Sequence, residues 1–363
     1  MPATRRSLLA AAGLAAAGPA LLLSRSKPAR AASSQVLAGQ RVIHAYSGTT
    51  PPDSLLNTIS SGATAGVLFF SENIESESQI ASVISQLRDA AASSPIDAPL
   101  LLMTDQEGGE VRRLPGAPDE SEKEIGESTD PTGEATDAGT GAGQNLSGVG
   151  MNLNLAPVLD VYRSPGDFDD QYERSYSMDS GTCESCGAAF VTAQQKTGVA
   201  ATAKHFPGLG AATASQNTDN VPVTLNVSAS QLRSVDEAAY PASISAGLKL
   251  VMCSWAIYPS LDASNPAGLS STIVGNELRS RLGFKGVTIT DSIGAGALSP
   301  FGSIANRSVM AATAGMDLIL ATSEDIGDQA VSALAAALDD GTLNSSTFTT
   351  AANRVTALRS SLT

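Results

Sequence analysis

A lysine and a histidine stand side by side at Lys204-His205, directly after the apolar run Val199 to Ala203 and before the turn Phe206-Pro207-Gly208. A cation and an imidazole at the end of a buried strand, followed by a Pro-Gly turn, form a polar cluster of the kind that meets substrates. Carboxylates recur in the same setting. Asp105 and Glu107 follow Pro99 to Met103, Asp160 follows Asn152 to Ala156, and Asp291 follows Val287 to Thr290. Ser71-Glu72-Asn73 and Ser254-Trp255 end two further apolar runs. Carboxylates gathered at one polar mouth suit glycoside chemistry: one attacks the anomeric carbon while another group protonates the departing oxygen. A single aspartate after a strand serves equally well as a helix cap. Asp105 and Asp291 resist that reading, because each directly follows an apolar run ending in Thr.

Eight apolar runs of strand length would carry these residues: Val42 to Ala45, Gly66 to Phe70, Pro99 to Met103, Asn152 to Ala156, Val199 to Ala203, Leu250 to Cys253, Val287 to Thr290 and Asp317 to Ala321. Helix-like sequence separates most of them, as at Glu77 to Ala92, Ser180 to Thr197, Ser228 to Ala246 and Asn276 to Leu282. Continuous apolar strands alternating with helices predict a parallel sheet covered on both faces. Eight such units predict an α/β fold of the (β/α)8 barrel type, forming one catalytic domain over residues 36–363, with function at the C-terminal strand ends. A doubly wound open sheet is the competing architecture, but no G-x-G-x-x-G follows the first strand. The Gly-, Ser- and Thr-rich stretch Gly116 to Gly148 reads as an irregular loop with a helix near its end.

Residues 1–31 read differently. Arg5-Arg6, an apolar segment reaching Leu23, and Ala29-Arg30-Ala31 are the marks of a twin-arginine export signal. The apolar part is short for a membrane span and is broken by Gly13, Gly18 and Pro19. No Cys stands near the cleavage site for a lipid anchor, so the expectation is a secreted protein with no stable membrane insertion. The 363-residue chain has a formal charge of −14. Removing residues 1–31 takes away five basic residues and no acidic ones, leaving 36 acidic against 17 basic and a charge of −19. Such a body disfavours nucleic acid and anionic membranes as partners.

Cys183-x-x-Cys186 could be a redox motif, half a metal site or a local disulfide. With two histidines and three cysteines in the chain a zinc site is disfavoured. In an exported chain a structural disulfide is the preferred reading, and Cys253, in an apolar run, reads as a buried thiol. No metal and no cofactor is expected.

Several segments occur in a telling order: Thr104-Asp105-Gln106-Glu107-Gly108-Gly109, Ala156-Pro157-Val158-Leu159-Asp160, Glu173-Arg174-Ser175-Tyr176, Lys204-His205-Phe206-Pro207-Gly208, and Leu282-Gly283-Phe284 leading through Gly286-Val287 to Thr290-Asp291. Together they resemble the N-terminal barrel of glycoside hydrolase family 3, most closely its single-domain bacterial β-N-acetylglucosaminidases. The resemblance implies an exported retaining β-glycosidase removing terminal β-linked N-acetylglucosamine from chitin or peptidoglycan fragments. Asp291 would be the nucleophile of a covalent intermediate. Asp105, Arg113, Arg174, Lys204 and His205 would hydrogen-bond the bound sugar.

The chain also departs from that pattern. The family's loop after the Lys-His motif carries an Asp-Ser-His whose histidine is the acid/base. Here the loop reads Gly210-Ala-Ala-Thr-Ala-Ser-Gln-Asn-Thr-Asp219-Asn220, and the chain's two histidines are His44 and His205. Asp219 becomes the acid/base candidate, although between Asn217 and Asn220 it also reads as a turn residue. Glu107 and Glu173 are alternatives. Glu110 stands where the family commonly has Arg. Trp255, where relatives often have His, would offer a hydrophobic wall to a sugar face. The missing histidine keeps two other readings open: a catalytically impaired binder of cell-wall glycans, and a β-glucosidase of the same family.

Overall fold

The computed structural model describes Met1 and residues 33–362. The expected export signal therefore lies, apart from Met1, outside the described residues. Eight strands close into a parallel barrel: β1 (Val42–His44), β2 (Gly66–Leu68), β3 (Leu101–Thr104), β4 (Leu153–Asn154), β5 (Ala200–Phe206), β6 (Leu250–Cys253), β7 (Val287–Ser292) and β8 (Leu318–Leu320). Each strand pairs with its neighbours in sequence, and β8 returns to β1 in the register Val42 to Ile319. The strands are apolar on both faces, for a reason visible in their alternation. Ile43, Leu68, Leu101, Met103, Leu153, Leu250, Met252, Ile289 and Leu320 pack against one another inside the barrel. Val67 and Leu102, one position out of phase, pack outward against Ile80, Ile84 and Leu87 of helix Glu77–Ala91. All eight expected strands are present, and so is the (β/α)8 architecture.

Two segments correct the sequence expectation. Gly116 to Gly148 is largely helical, with helices at Glu122–Glu127 and Pro131–Val149. The Asp130 side chain caps the second helix by accepting from Gly133 N at 3.2 Å, and Gly150 ends it at φ 92°. Two of its glycines serve close packing rather than turns. A Cβ on Gly139 would lie 2.4 Å from the carbonyl oxygen of Phe190, on helix Ser180–Lys196, and one on Gly143 would lie 2.2 Å from Thr197 Oγ1. Each glycine costs about 1 kcal/mol of intrinsic helix stability, so tertiary contact outweighs propensity here. The expected helix Ser228 to Ala246 is instead a chain of short helical turns, re-started at Pro241, which supplies no backbone N–H to continue the preceding turn.

The expected disulfide is also corrected. Cys183 and Cys186 are free thiols on the buried face of helix Ser180–Lys196, with Cys183 Sγ 3.3 Å from the carbonyl oxygen of Ser177. Burial pushes the Cys186 thiol up to about 11. Cys253 is the expected buried thiol, pushed up by burial to about 12.

Candidate active site

The C-terminal strand ends open into a cleft of about 410 Å3. Its floor is the last layer of the barrel core, Leu68, Leu155, Met252 and Leu320. Its walls carry Asp105, Glu110, Arg113, Arg174, Lys204, His205, Asp219 and Asp291. Seven of the eight expected site residues therefore line one cavity, though they come from positions 105 to 291 of the chain.

Two charge networks organise it. Lys204, near the end of β5, places Nζ 2.8 Å from Asp105 Oδ1 and 2.6 Å from Glu107 Oε1. Arg174 grips the same Glu107 with both arms of its guanidinium, each at 2.9 Å. Burial alone would raise the Glu107 carboxyl, but Arg174 and Lys204 outweigh it and bring the group down to about 2. Glu107 is thus a fixed anion that aims two cations, which corrects its reading as an acid/base. Glu173, the other alternative, is exposed and lies outside the cleft lining, with φ 55°.

The second network sits under the turn that follows Lys204. His205 Nδ1 lies 2.6 Å from Asp160 Oδ2, while Asp160 Oδ1 accepts from Leu209 N at 2.5 Å. Burial would lower the His205 pKa, yet the Asp160 charge and hydrogen bond leave it raised. Asp160 is correspondingly lowered against its own burial. Asp169, beside them, is pushed by burial and by Asp160 up to about 7. Asp160, Asp169 and His205 bring donor atoms within 4.8 Å of one another, the one such group among the described residues. His205 Nδ1 is spent on Asp160, Asp169 Oδ1 meets Arg174 Nη1 at 3.5 Å, and the buried Asp169 Oδ2 has no partner among the described residues.

The loop Gly210 to Asn220 lies over the mouth. Phe168 N donates to the carbonyl oxygen of Ala212 at 2.9 Å, Gly296 N to that of Asp219 at 2.7 Å, and Ala297 N to that of Thr218 at 3.1 Å. Asn217 Oδ1 accepts from Asp219 N at 2.8 Å, so Asp219 is the turn residue its neighbours suggested. Its carboxyl nevertheless lines the cleft with Asp291. Water reaches Asp219, but desolvation by the cleft walls and then the Asp291 charge hold its carboxyl above its usual value.

Trp255 does not take its expected place. Its side chain is buried, packs on Gly268 and donates Nε1 to the carbonyl oxygen of Ser292 at 2.8 Å, behind Asp291 rather than in the cleft. The aromatic wall is supplied by residues the sequence reading missed: Phe70, Phe168 and Tyr172. Phe168 and Tyr172 meet edge to face, with ring centroids 5.9 Å apart. Their one signal was position, a few residues before Glu173-Arg174.

Residues 40–358 match the model of the glycosyl hydrolase family 3 N-terminal domain. An uncharacterized secreted glycosyl hydrolase of Arthroderma benhamiae is 43% identical over 94% of this chain and 98% of its own length. A β-hexosaminidase of Xylella fastidiosa is 30% identical over 79% of this chain and 85% of its own. Among solved structures, the β-N-acetylhexosaminidase of Beutenbergia cavernae superposes with a TM-score of 0.81 at 32% identity, covering 90% of this chain and 98% of that one. A family 3 β-N-acetylglucosaminidase of a Paenibacillus species gives 0.85 at 30% identity over 91% of this chain, which spans 63% of that protein.

Proposed function

Because this chain belongs to glycoside hydrolase family 3, we propose that it is an exported retaining β-N-acetylhexosaminidase that removes terminal β-linked N-acetylglucosamine from chitin or peptidoglycan fragments. Membership makes the chain a glycosidase. The names of its relatives support the sugar, and that of the Arthroderma protein supports export. No helix among the described residues is long and apolar enough to cross a membrane.

In this reading the Asp291 carboxylate forms a bond to the anomeric carbon as the glycosidic C–O bond breaks. The Asp219 carboxyl gives its proton to the departing oxygen. Asp219, now an anion, takes a proton from water, which attacks the same carbon and releases Asp291. Lys204, Arg174, Arg113, Asp105 and His205 hold the sugar hydroxyls, with hydrogen bonds that strengthen as positive charge develops on the ring. The observation that carries the reading is that the loop docked on Gly296 and Ala297 places a carboxyl of raised pKa in the same cleft as Asp291. A carboxyl that is to donate a proton beside a nucleophilic carboxylate needs a pKa raised in this way.

The absent loop histidine favours a second reading, a glycan-binding protein on an enzyme's barrel. Turnover of 4-nitrophenyl β-N-acetylglucosaminide, with the anomer of the first-formed sugar followed by proton NMR, separates the two. Release of the β-anomer supports the enzyme. Glycan binding with no turnover of this substrate or of the matching glucoside supports the binder.

A further inference from the structure

At the N-terminal end of the barrel, opposite the cleft, Arg41, Arg279 and Arg354 converge on a cavity of about 590 Å3 whose lining includes no carboxylate. Their shared counter-ion is Asp317, which sits fully buried beneath them. Its Oδ1 accepts from Arg354 Nε and Nη2 at 3.0 and 2.7 Å. Its Oδ2 accepts from Arg279 Nη2 at 2.6 Å and from Thr288 N at 2.9 Å, so both oxygens are taken. Arg41, only 1% exposed, donates Nε to the Asp317 carbonyl oxygen at 3.0 Å and lies 4.0 Å over the Phe348 ring. No salt bridge joins it to a carboxylate among the described residues.

Three guanidinium groups against one spent carboxylate leave two positive charges at one point of a chain whose net charge is −14. Arg41 is the buried member of that excess, and a buried charge without a carboxylate opposes the usual rule that buried charge is paired. Each arginine also keeps an N–H group, Nη1 of Arg41, Nε of Arg279 and Nη1 of Arg354, that no described residue accepts. Burial and the neighbouring Arg354 charge pull the Arg41 pKa down to about 10 despite Asp317. The first turn of helix Ser345–Ser360 adds Thr347 and Phe348 to the wall, so a positive helix end faces the same space.

We propose that Arg41, Arg279 and Arg354 form an anion-binding site at the N-terminal end of the barrel, suited to a phosphate-class oxyanion. Forked guanidinium donors arriving from three directions fit a tetrahedral group better than a planar carboxylate, which one arginine can satisfy. The anion neutralises the excess charge and ties the start of β1 and the helical segment Thr272–Arg281 to helix Ser345–Ser360. Because the site is remote from Asp291, its occupancy is read by stability, not turnover.

Thermal unfolding of the whole protein in rising inorganic phosphate, against sodium chloride at matched ionic strength, tests this. Phosphate stabilises proteins generally by exclusion, with a gain that keeps growing with concentration. A bound anion adds a component that follows site occupancy. Calorimetric titration with phosphate is expected to saturate, with the apparent Kd raised on the order of tenfold in Arg354→Gln and less in Arg354→Lys. Glycerol phosphate as a competitor separates the sources: tighter binding than inorganic phosphate indicates a phosphate ester, weaker binding the free ion. No saturable heat in the wild-type protein, or an equal phosphate gain in wild type and both variants, overturns the proposal and makes the cluster a brace of the barrel end.

Discussion

His205 Nδ1 and Asp160 Oδ2 stand 2.6 Å apart, with 7% and 0% of the two side chains exposed. Asp160 also accepts from Leu209 N, so this one pair fixes both the imidazole and the turn behind it. Burial of each group is outweighed by the other's opposite charge, raising His205 and lowering Asp160. Asp160→Asn leaves a buried imidazole without its anion and is expected to cost about 3–5 kcal/mol in a denaturant melt.

The pH dependence of that pair has a definite sign. A raised histidine stabilises fully below its unfolded pKa of about 6.5 and loses the contribution as pH rises through its folded value. A lowered aspartate stabilises above its unfolded value of about 3.9 and loses the contribution as pH falls through its folded one. The stability gap between wild type and His205→Gln should therefore be largest between these limits. Above the folded histidine pKa it should shrink. A gap that widens with alkaline pH contradicts the assignment.

Asp291→Ala should lower kcat on an aryl N-acetylglucosaminide by about 10³-fold or more while leaving the melting temperature near wild type. The kinetic loss without unfolding is the test of the proposed nucleophile.

Asp219→Ala should slow oligosaccharide substrates by ~10²- to 10⁴-fold and activated aryl glycosides far less, since a good leaving group needs no proton. Azide should restore rate and yield the β-glycosyl azide. In the proposed mechanism Asp219 must hold its proton for the first step, and its carboxyl is raised by the cleft walls and by Asp291. Wild-type turnover should therefore fall as pH climbs through that raised value, and this alkaline limb should vanish in the variant.

A Cβ on Gly296 would meet the carbonyl oxygen of Asn220 at 2.2 Å, a backbone atom with nowhere to swing. Gly296→Ala should lift the 210–222 loop, lower kcat/KM and speed proteolytic nicking there, with the barrel's cooperative melt kept. Gly139→Val, in the helix pair, should instead cost about 1–3 kcal/mol of global stability and leave KM unchanged.

The barrel is legible in the sequence because its strands are apolar on both faces, and a run such as Leu250 to Cys253 admits few other readings. Cleft-lining residues at strand ends inherit that legibility, as with Lys204 and Asp291. What the sequence hides is contact across the chain. Glu107 looks like an acid until Arg174, 67 positions away, is seen to grip it. Gly139 and Gly143 look like loop residues until helix Ser180–Lys196 arrives against them. Trp255 looks like a sugar wall because it follows β6, but its indole turns to the Ser292 carbonyl.

That misplaced indole gives the protein an optical signal of its own. The chain has one tryptophan, so its ultraviolet emission above the tyrosine band comes from a single site. Nε1 is bonded to the peptide carbonyl of Ser292, next to Asp291. A charge gained or lost on that aspartate alters the field across the excited ring and displaces the emission maximum. Formation and breakdown of the ester proposed at Asp291 would thus be visible by stopped flow in the unlabelled protein.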